Sequence, residues 1–121
     1  MRIIEAINKI DSLKHNTYTQ TDKVAWLSSL DNLVADMMNT HEGEEVVFKG
    51  YNDETPLETE LLIPDTYSEV YMRWLEAQID YANGEYKKYN NAVVAYNAKW
   101  QEFERWYNRT HMPKGKNFKF F

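Results

Sequence analysis

The chain has no cysteine, only three prolines and four glycines, and no apolar run long enough to cross a membrane. Without cysteine there is no disulfide framework, thiolate nucleophile or sulfur metal site, which fits a reducing compartment. So little glycine and proline leaves few breaks, so most of the chain should be helical. About 18 consecutive apolar residues would signal a membrane span; none occur, and no membrane association is expected. The opening MRIIEAINKIDSL is interrupted by Glu5, Asn8 and Lys9, so it does not read as a secretory leader. Chemical motifs are missing too. There is no phosphate-cradling GxxxxGK, no dinucleotide GxGxxG and no nucleophile elbow. His41-Glu42 does not begin an HExxH zinc helix, because position 45 is Glu. His15, His41 and His111 lie far apart, each at a predicted helix end, where a cation meets the dipole favourably. No catalytic, cofactor-binding or metal-ligating residue is assigned, and the chain is expected not to be an enzyme.

What is present is a chain of 121 residues, 43% apolar and 15% aromatic, enough for one domain with its own core. A formal net charge of -5 argues against a protein whose main work is gripping phosphate backbones. The charge is uneven along the chain. Acids crowd residues 42–69, opposed only by Lys49, whereas Arg105, Arg109, Lys114, Lys116 and Lys119 follow the last acidic side chain. The sequence is polar end to end.

The helical pattern is clearest in YKKYNNAVVAYNAKWQEFERWY, where Tyr86, Tyr89, Val93, Tyr96, Trp100, Phe103 and Tyr107 recur at steps of three and four. This stripe predicts a helix from Glu85 to about Arg109 that serves as the spine of the fold. Before it, Ile3, Ile7 and Ile10, with Leu13 near the same face, predict a short first helix. Thr19 and Asp22 form a capping box for a second helix to about Met38, burying Trp26, Leu27, Leu30, Leu33, Val34 and Met37 and leaving Ser28, Asp31 and Asp36 outside. Residues 41–64 lose the helical period and read as irregular or β structure, in which Val46 to Tyr51 and Leu61 to Ile63 could make short strands around an exposed acidic loop. Pro64 and Asp65 open a third helix to about Ala82, with Tyr67, Val70, Tyr71, Trp74, Leu75 and Gln78 on one face, and Asn83-Gly84 supplies the turn.

The expected architecture is mainly α, a four-helix bundle-like single domain. Residues 1–40 give two helices, 41–64 an acidic irregular or β insertion, 65–110 a long helical hairpin and 111–121 a tail. The spine outruns its partner arm. Tyr86, Tyr89 and Val93, near the turn, are therefore expected as intramolecular core, and Trp100, Phe103 and Tyr107 as burial between subunits. Phe118, Phe120 and Phe121, set among Lys114, Lys116 and Lys119, are expected to dock on another subunit or a partner, since three phenylalanines gain nothing in water.

The stretches LLIPDTYSEVYMRWLEAQIDYANGEYKKYNNAVVAYNAKWQEFERWYNRTHMP and KVAWLSSLDNLVADMMNTHEG cover most of the chain, and IDYANGEYKKYNN and WYNRTHMP are their distinctive phrases. They resemble a family of small structural proteins of tailed bacteriophages and prophages of Gram-positive hosts, associated with head-tail connectors, the neck adaptors. The resemblance implies a virion protein, assembled in the host cytoplasm, many copies of which form a ring under the portal. Such a ring extends the DNA channel and contacts the next neck or tail protein, and DNA passes without specific binding. It carries over no catalytic residues. On that reading Glu42, Glu44, Glu45, Asp53, Glu54, Glu58 and Glu60 would face the channel, where like charge repels phosphates. The alternative is a small helical regulatory or nucleic-acid-binding protein that uses its basic C-terminal tail.

Overall fold

In a computed structural model, which describes residues 1–115, the chain forms four helices and one 3₁₀ turn. Helix α1 is Ile3–Leu13, α2 is Gln20–Met38, α3 is Glu69–Ala82 and α4 is Tyr86–Thr110, with the 3₁₀ turn at Asp65–Tyr67. The capping box that opens α2 forms as its residues require: Asp22 N–H donates to Thr19 Oγ1 at 3.1 Å, and Thr19 N–H donates to Asp22 Oδ2 at 3.4 Å. Gly84 takes the positive φ, 74°, that turns α3 into α4.

The helices alternate in direction; short links impose this between α1 and α2 and between α3 and α4, while the long segment 39–68 carries the chain back from α2 to α3. At one end the last turns of α1 and α3 meet, with Lys14 Nζ 2.7 Å from Asp80 Oδ1, and Tyr18 donates to Asn83 Oδ1 at 2.6 Å. At the other end α2 and α4 finish together, with His41 Nε2 2.7 Å from Asn108 Oδ1. The first will be called the tip end and the second the clasp end.

The spine of this bundle is α3, not the aromatic α4. Helix α3 packs against all three other helices, whereas α4 lies mainly on α3. Its buried residues Val70, Tyr71, Met72, Leu75, Ala77, Ile79 and Asp80 surround the helix instead of forming one stripe. Along α4 only Ala92 and Phe103 are buried. The burial gradient on α4 is therefore the reverse of the one expected. Tyr86, near the turn, is 60% exposed, and Phe103, expected between subunits, is 0% exposed within the single chain. The overhang of α4 is covered from within: Tyr67 of the 3₁₀ turn lies 6.1 Å from Phe103 and 5.3 Å from Trp106, ring centre to ring centre.

Residues 41–64 take the irregular of the two forms expected and make no strand. Among the described residues the only bridges outside helices are isolated ones, Arg2 with Glu60 and His41 with Pro113. The reason lies in where the backbone groups are satisfied. Asn39 holds Val46 by both its N–H and its carbonyl, at 2.8 and 2.9 Å, and Ser28 Oγ accepts from Tyr51 N–H at 2.9 Å. Further on, the carbonyls of Thr59 and Leu57 accept from Ile3 and Ile4, donors that the first turn of α1 cannot pair itself. The segment is extended but spends its hydrogen bonds on helices.

Replacing Phe103 by Ala should cost the isolated chain about 3–5 kcal/mol, as for other large aromatic truncations in a core. Tyr86→Ala should stay within about 0.5 kcal/mol. Urea unfolding of the two variants at one concentration of monomer measures both.

Candidate functional site

Asp31 was expected on the outside of α2 and is instead fully buried. It stands four residues after Leu27 and three before Val34, so the helical period puts it on the core stripe. Its carboxylate accepts three hydrogen bonds. Tyr71 donates to Oδ1 at 2.6 Å, while Tyr51 at 2.5 Å and Leu62 N–H at 3.1 Å donate to Oδ2. The Tyr71 hydroxyl in turn accepts from Ile63 N–H at 2.8 Å. Burial pushes the Asp31 carboxyl above its ordinary value, against the opposing pull of the tyrosines and Leu62 N–H. Burial, and then the neighbouring carboxylate, raise both tyrosines strongly. With three donors on its carboxylate and no exposure to solvent, this cluster works as a staple between α2, α3 and the insertion.

A second ionic staple ties α1 to α2. Lys23, 3% exposed, donates to Asp11 Oδ1 at 2.7 Å and to the Tyr18 carbonyl at 2.9 Å. Burial works against the Asp11 carboxylate, but the bonds from Lys23 and Asn16 outweigh it and hold its pKa below the usual value. A cleft of about 300 Å³ between α1, α3 and α4 is lined by Lys14, Arg73, Glu76, Asp80 and Lys88. Lys14 reaches Asp80 by distance without the alignment of a hydrogen bond, and Arg73 pairs with Glu76 at 3.3 Å. Among the described residues no group of three or more His, Cys, Asp or Glu is placed to hold a metal ion.

The residues singled out as contact sites fall into different settings. Trp100 and Tyr107 are half-buried around Phe103, whose ring centre lies 5.7 Å from that of Trp100 and 6.1 Å from that of Tyr107. Burial raises the Tyr107 hydroxyl, and pushes that of Tyr96, one turn before Trp100, up to about 12. Lys114 is exposed. Lys116, Phe118, Lys119, Phe120 and Phe121 lie outside the described residues.

The seven acids of the insertion are all exposed but do not form one surface. Glu42, Glu44 and Glu45 follow the end of α2, and Asp53 lies beside Thr21, Val24 and Ala25. Glu54 N–H donates to Asn52 within the same turn. Glu58 pairs with Arg2 and Glu60 with the Met1 amino group.

At the clasp end two helices stop in the same way. Thr40-His41 ends α2 and Thr110-His111 ends α4. Each imidazole Nδ1 faces the carbonyl four residues back, Met37 at 3.1 Å and Tyr107 at 3.2 Å. The Tyr107 ring stacks on His111 at 3.8 Å and meets His41 edge-on at 4.9 Å. Beyond the histidines the chains pair: Glu42 N–H donates to Met112 O at 2.7 Å, and Lys114 N–H donates to Thr40 O at 2.8 Å. The acidic and basic stretches, distant in sequence, thus begin side by side, so the sequence polarity is not a polarity of the folded molecule.

The sequence reading also missed a surface at the tip end. Tyr81 and Tyr86 are 58% and 60% exposed, and with Tyr89 they form one cluster, Tyr81 lying 5.6 Å from Tyr86 and 5.1 Å from Tyr89 between ring centres. The helical period gave no signal of it, because Tyr81 stands seven residues after Trp74 on the expected apolar face; it is open because it lies in the last turn of α3. No family model matches the chain, and no curated protein or solved structure matches it either.

Asp31→Ala leaves two hydroxyls and a backbone N–H without their acceptor and should cost about 1–3 kcal/mol, the penalty of a buried polar group left unpaired. Asp31→Asn supplies the pH test. Between the unfolded carboxyl pKa near ~3.9 and the raised folded value, the native state keeps a proton that the unfolded state has lost. The stability of the wild type relative to Asp31→Asn should therefore be greatest at acid pH and fall as pH rises through that window. Denaturant unfolding at a series of pH values checks it; a difference that grows with pH would show that the three donors outweigh the burial.

Proposed function

We propose that the chain is a non-enzymatic structural protein of a tailed phage, a head-tail connector whose copies form a ring under the portal and extend the DNA channel. The reading rests on the resemblance of the sequence stretches 23–43 and 61–113, with the phrases IDYANGEYKKYNN and WYNRTHMP, to small structural proteins of such phages. Two features of the fold support it. The carboxylates of Glu42, Glu44, Glu45, Asp53 and Glu54 are exposed on an irregular segment held by a rigid bundle. Such a segment can present negative charge to passing DNA, an effect felt within about one Debye length, ~8 Å at physiological salt. Second, the surface carries a tyrosine cluster and other exposed apolar side chains, Leu13, Val47, Val94 and Met112, of the kind that subunit contacts cover.

In this reading the partners are further copies of the chain, the portal protein and the next neck or tail protein, and the location is the virion. The alternative, a nucleic-acid-binding protein that uses its basic tail, gains nothing from the fold, because the tail leaves the bundle beside Glu42. Acidic groups there lower the attraction for phosphates.

Light scattering after size exclusion, run with and without purified portal, tests the proposal. A portal-bound ring is the expected result, and a chain that stays off the portal at every ratio would sink it. Glu42, Glu44 and Glu45 exchanged together for Gln should leave the assembled ring intact but slow DNA passage, measured as DNA ejection from reconstituted particles. A gel shift with duplex DNA at moderate salt should show no specific band.

A further inference from the structure

The tyrosine cluster lies at the opposite end of α4 from the point where the C-terminal segment leaves the bundle. Tyr81, Tyr86 and Tyr89 straddle the Asn83-Gly84 turn, which the bond from Tyr18 to Asn83 holds in place at 2.6 Å. Near them Lys88 pairs with Glu85 at 2.8 Å and Lys14 lies 2.7 Å from Asp80, while Lys87 stands exposed beside Tyr86, so among the described residues this surface is aromatic with one free-standing cation.

The other partner in the argument is the stretch Lys116-Asn117-Phe118-Lys119-Phe120-Phe121. Its starting point is fixed, because Lys114 is bonded to Thr40 at the clasp end. Helix α4 has 25 residues and is about 37 Å long. From Lys114 to Phe121 the backbone spans at most about 25 Å even when fully extended. These phenylalanines therefore cannot reach the tyrosine cluster of their own chain, while nothing prevents them from reaching that of another.

We propose that the Tyr81, Tyr86 and Tyr89 cluster is the docking site for residues 116–121 of a second copy of this chain. The chemistry on the two sides is matched. Phenylalanine rings meet tyrosine rings edge to face, and alternating lysines lie over the electron-rich tyrosine faces. The contact joins two different patches from opposite ends of the molecule, so it is head-to-tail and propagates from copy to copy, closing only if the rotation per copy allows. It deepens the ring reading by naming a subunit contact and rests on that reading for closure alone, since the contact itself can be measured on the isolated protein.

Two full-length variants test it: Tyr81→Ser with Tyr86→Ser, which removes the site, and Phe118→Ser with Phe120→Ser and Phe121→Ser, which removes the occupant. Because Tyr81 and Tyr86 are more than half exposed, melting of the first variant should match that of the wild type. By sedimentation equilibrium the wild type should gain mass as concentration rises toward about 1 mM, and each variant alone should associate at least about tenfold more weakly. Mixing the two variants should restore a heterodimer, since one supplies an intact tail and the other an intact cluster. A peptide of residues 114–121 in excess should dissociate the wild-type assembly. A wild type that stays monomeric, variants that associate as tightly as the wild type, or a mixture that restores nothing would each overturn the proposal. Failure to bind the portal with self-association intact would instead count only against the connector reading.

Discussion

The carboxylate of Asp31, held by two tyrosine hydroxyls and a backbone N–H, joins three parts of the chain that share no regular structure. It stands on α2, Tyr71 on α3, and Tyr51 and Leu62 on either side of the acidic turn. A segment as irregular as 41–64 has few backbone partners of its own, and a bundle tolerates it only where side chains supply acceptors and donors. Asn39 and Ser28 supply part of that need; Asp31 supplies the buried part. The low local dielectric makes these bonds strong and would make any unpaired member costly. Such a cluster ties α2, α3 and the insertion together at one buried carboxylate.

Around that point the bundle divides its labour. Helix α3 is buried on most sides, and its apolar content goes into the core. Helix α4 lies on the outside with Phe103 as its deepest anchor, ringed by Tyr67, Trp100, Trp106 and Tyr107. The aromatic seam is thus graded, buried toward the clasp end and open toward the tip. An amphipathic outer helix of this kind can serve the fold with one half and a partner with the other.

The distribution of charge follows from the same alternation of helix directions. Because α2 and α4 run the same way, residues 40–42 and 112–114 emerge at one end and pair. The starts of the acidic stretch and of the C-terminal segment, separated by seventy or so residues of chain, thus become neighbours.

Much of the fold was legible in the sequence. The positions of the four helices, the Thr19 and Asp22 cap and the Asn83-Gly84 turn are local matters of period, capping and backbone freedom, and a chain encodes them within a few residues. Asp31 was legible too, because its place on the Leu27 to Val34 stripe fixes the direction of its side chain; polarity alone misplaced it. Three things were decided only by tertiary structure. Which helix is central depends on which neighbours surround it, and no period within α3 or α4 carries that information. Whether residues 46–51 and 61–63 pair as strands depends on whether other acceptors are nearer, and the helices provided them. Whether Phe103 or Tyr86 is covered depends on the 3₁₀ turn and on the ends of other helices, distant in sequence, that assemble over one half of α4 and leave the other half open.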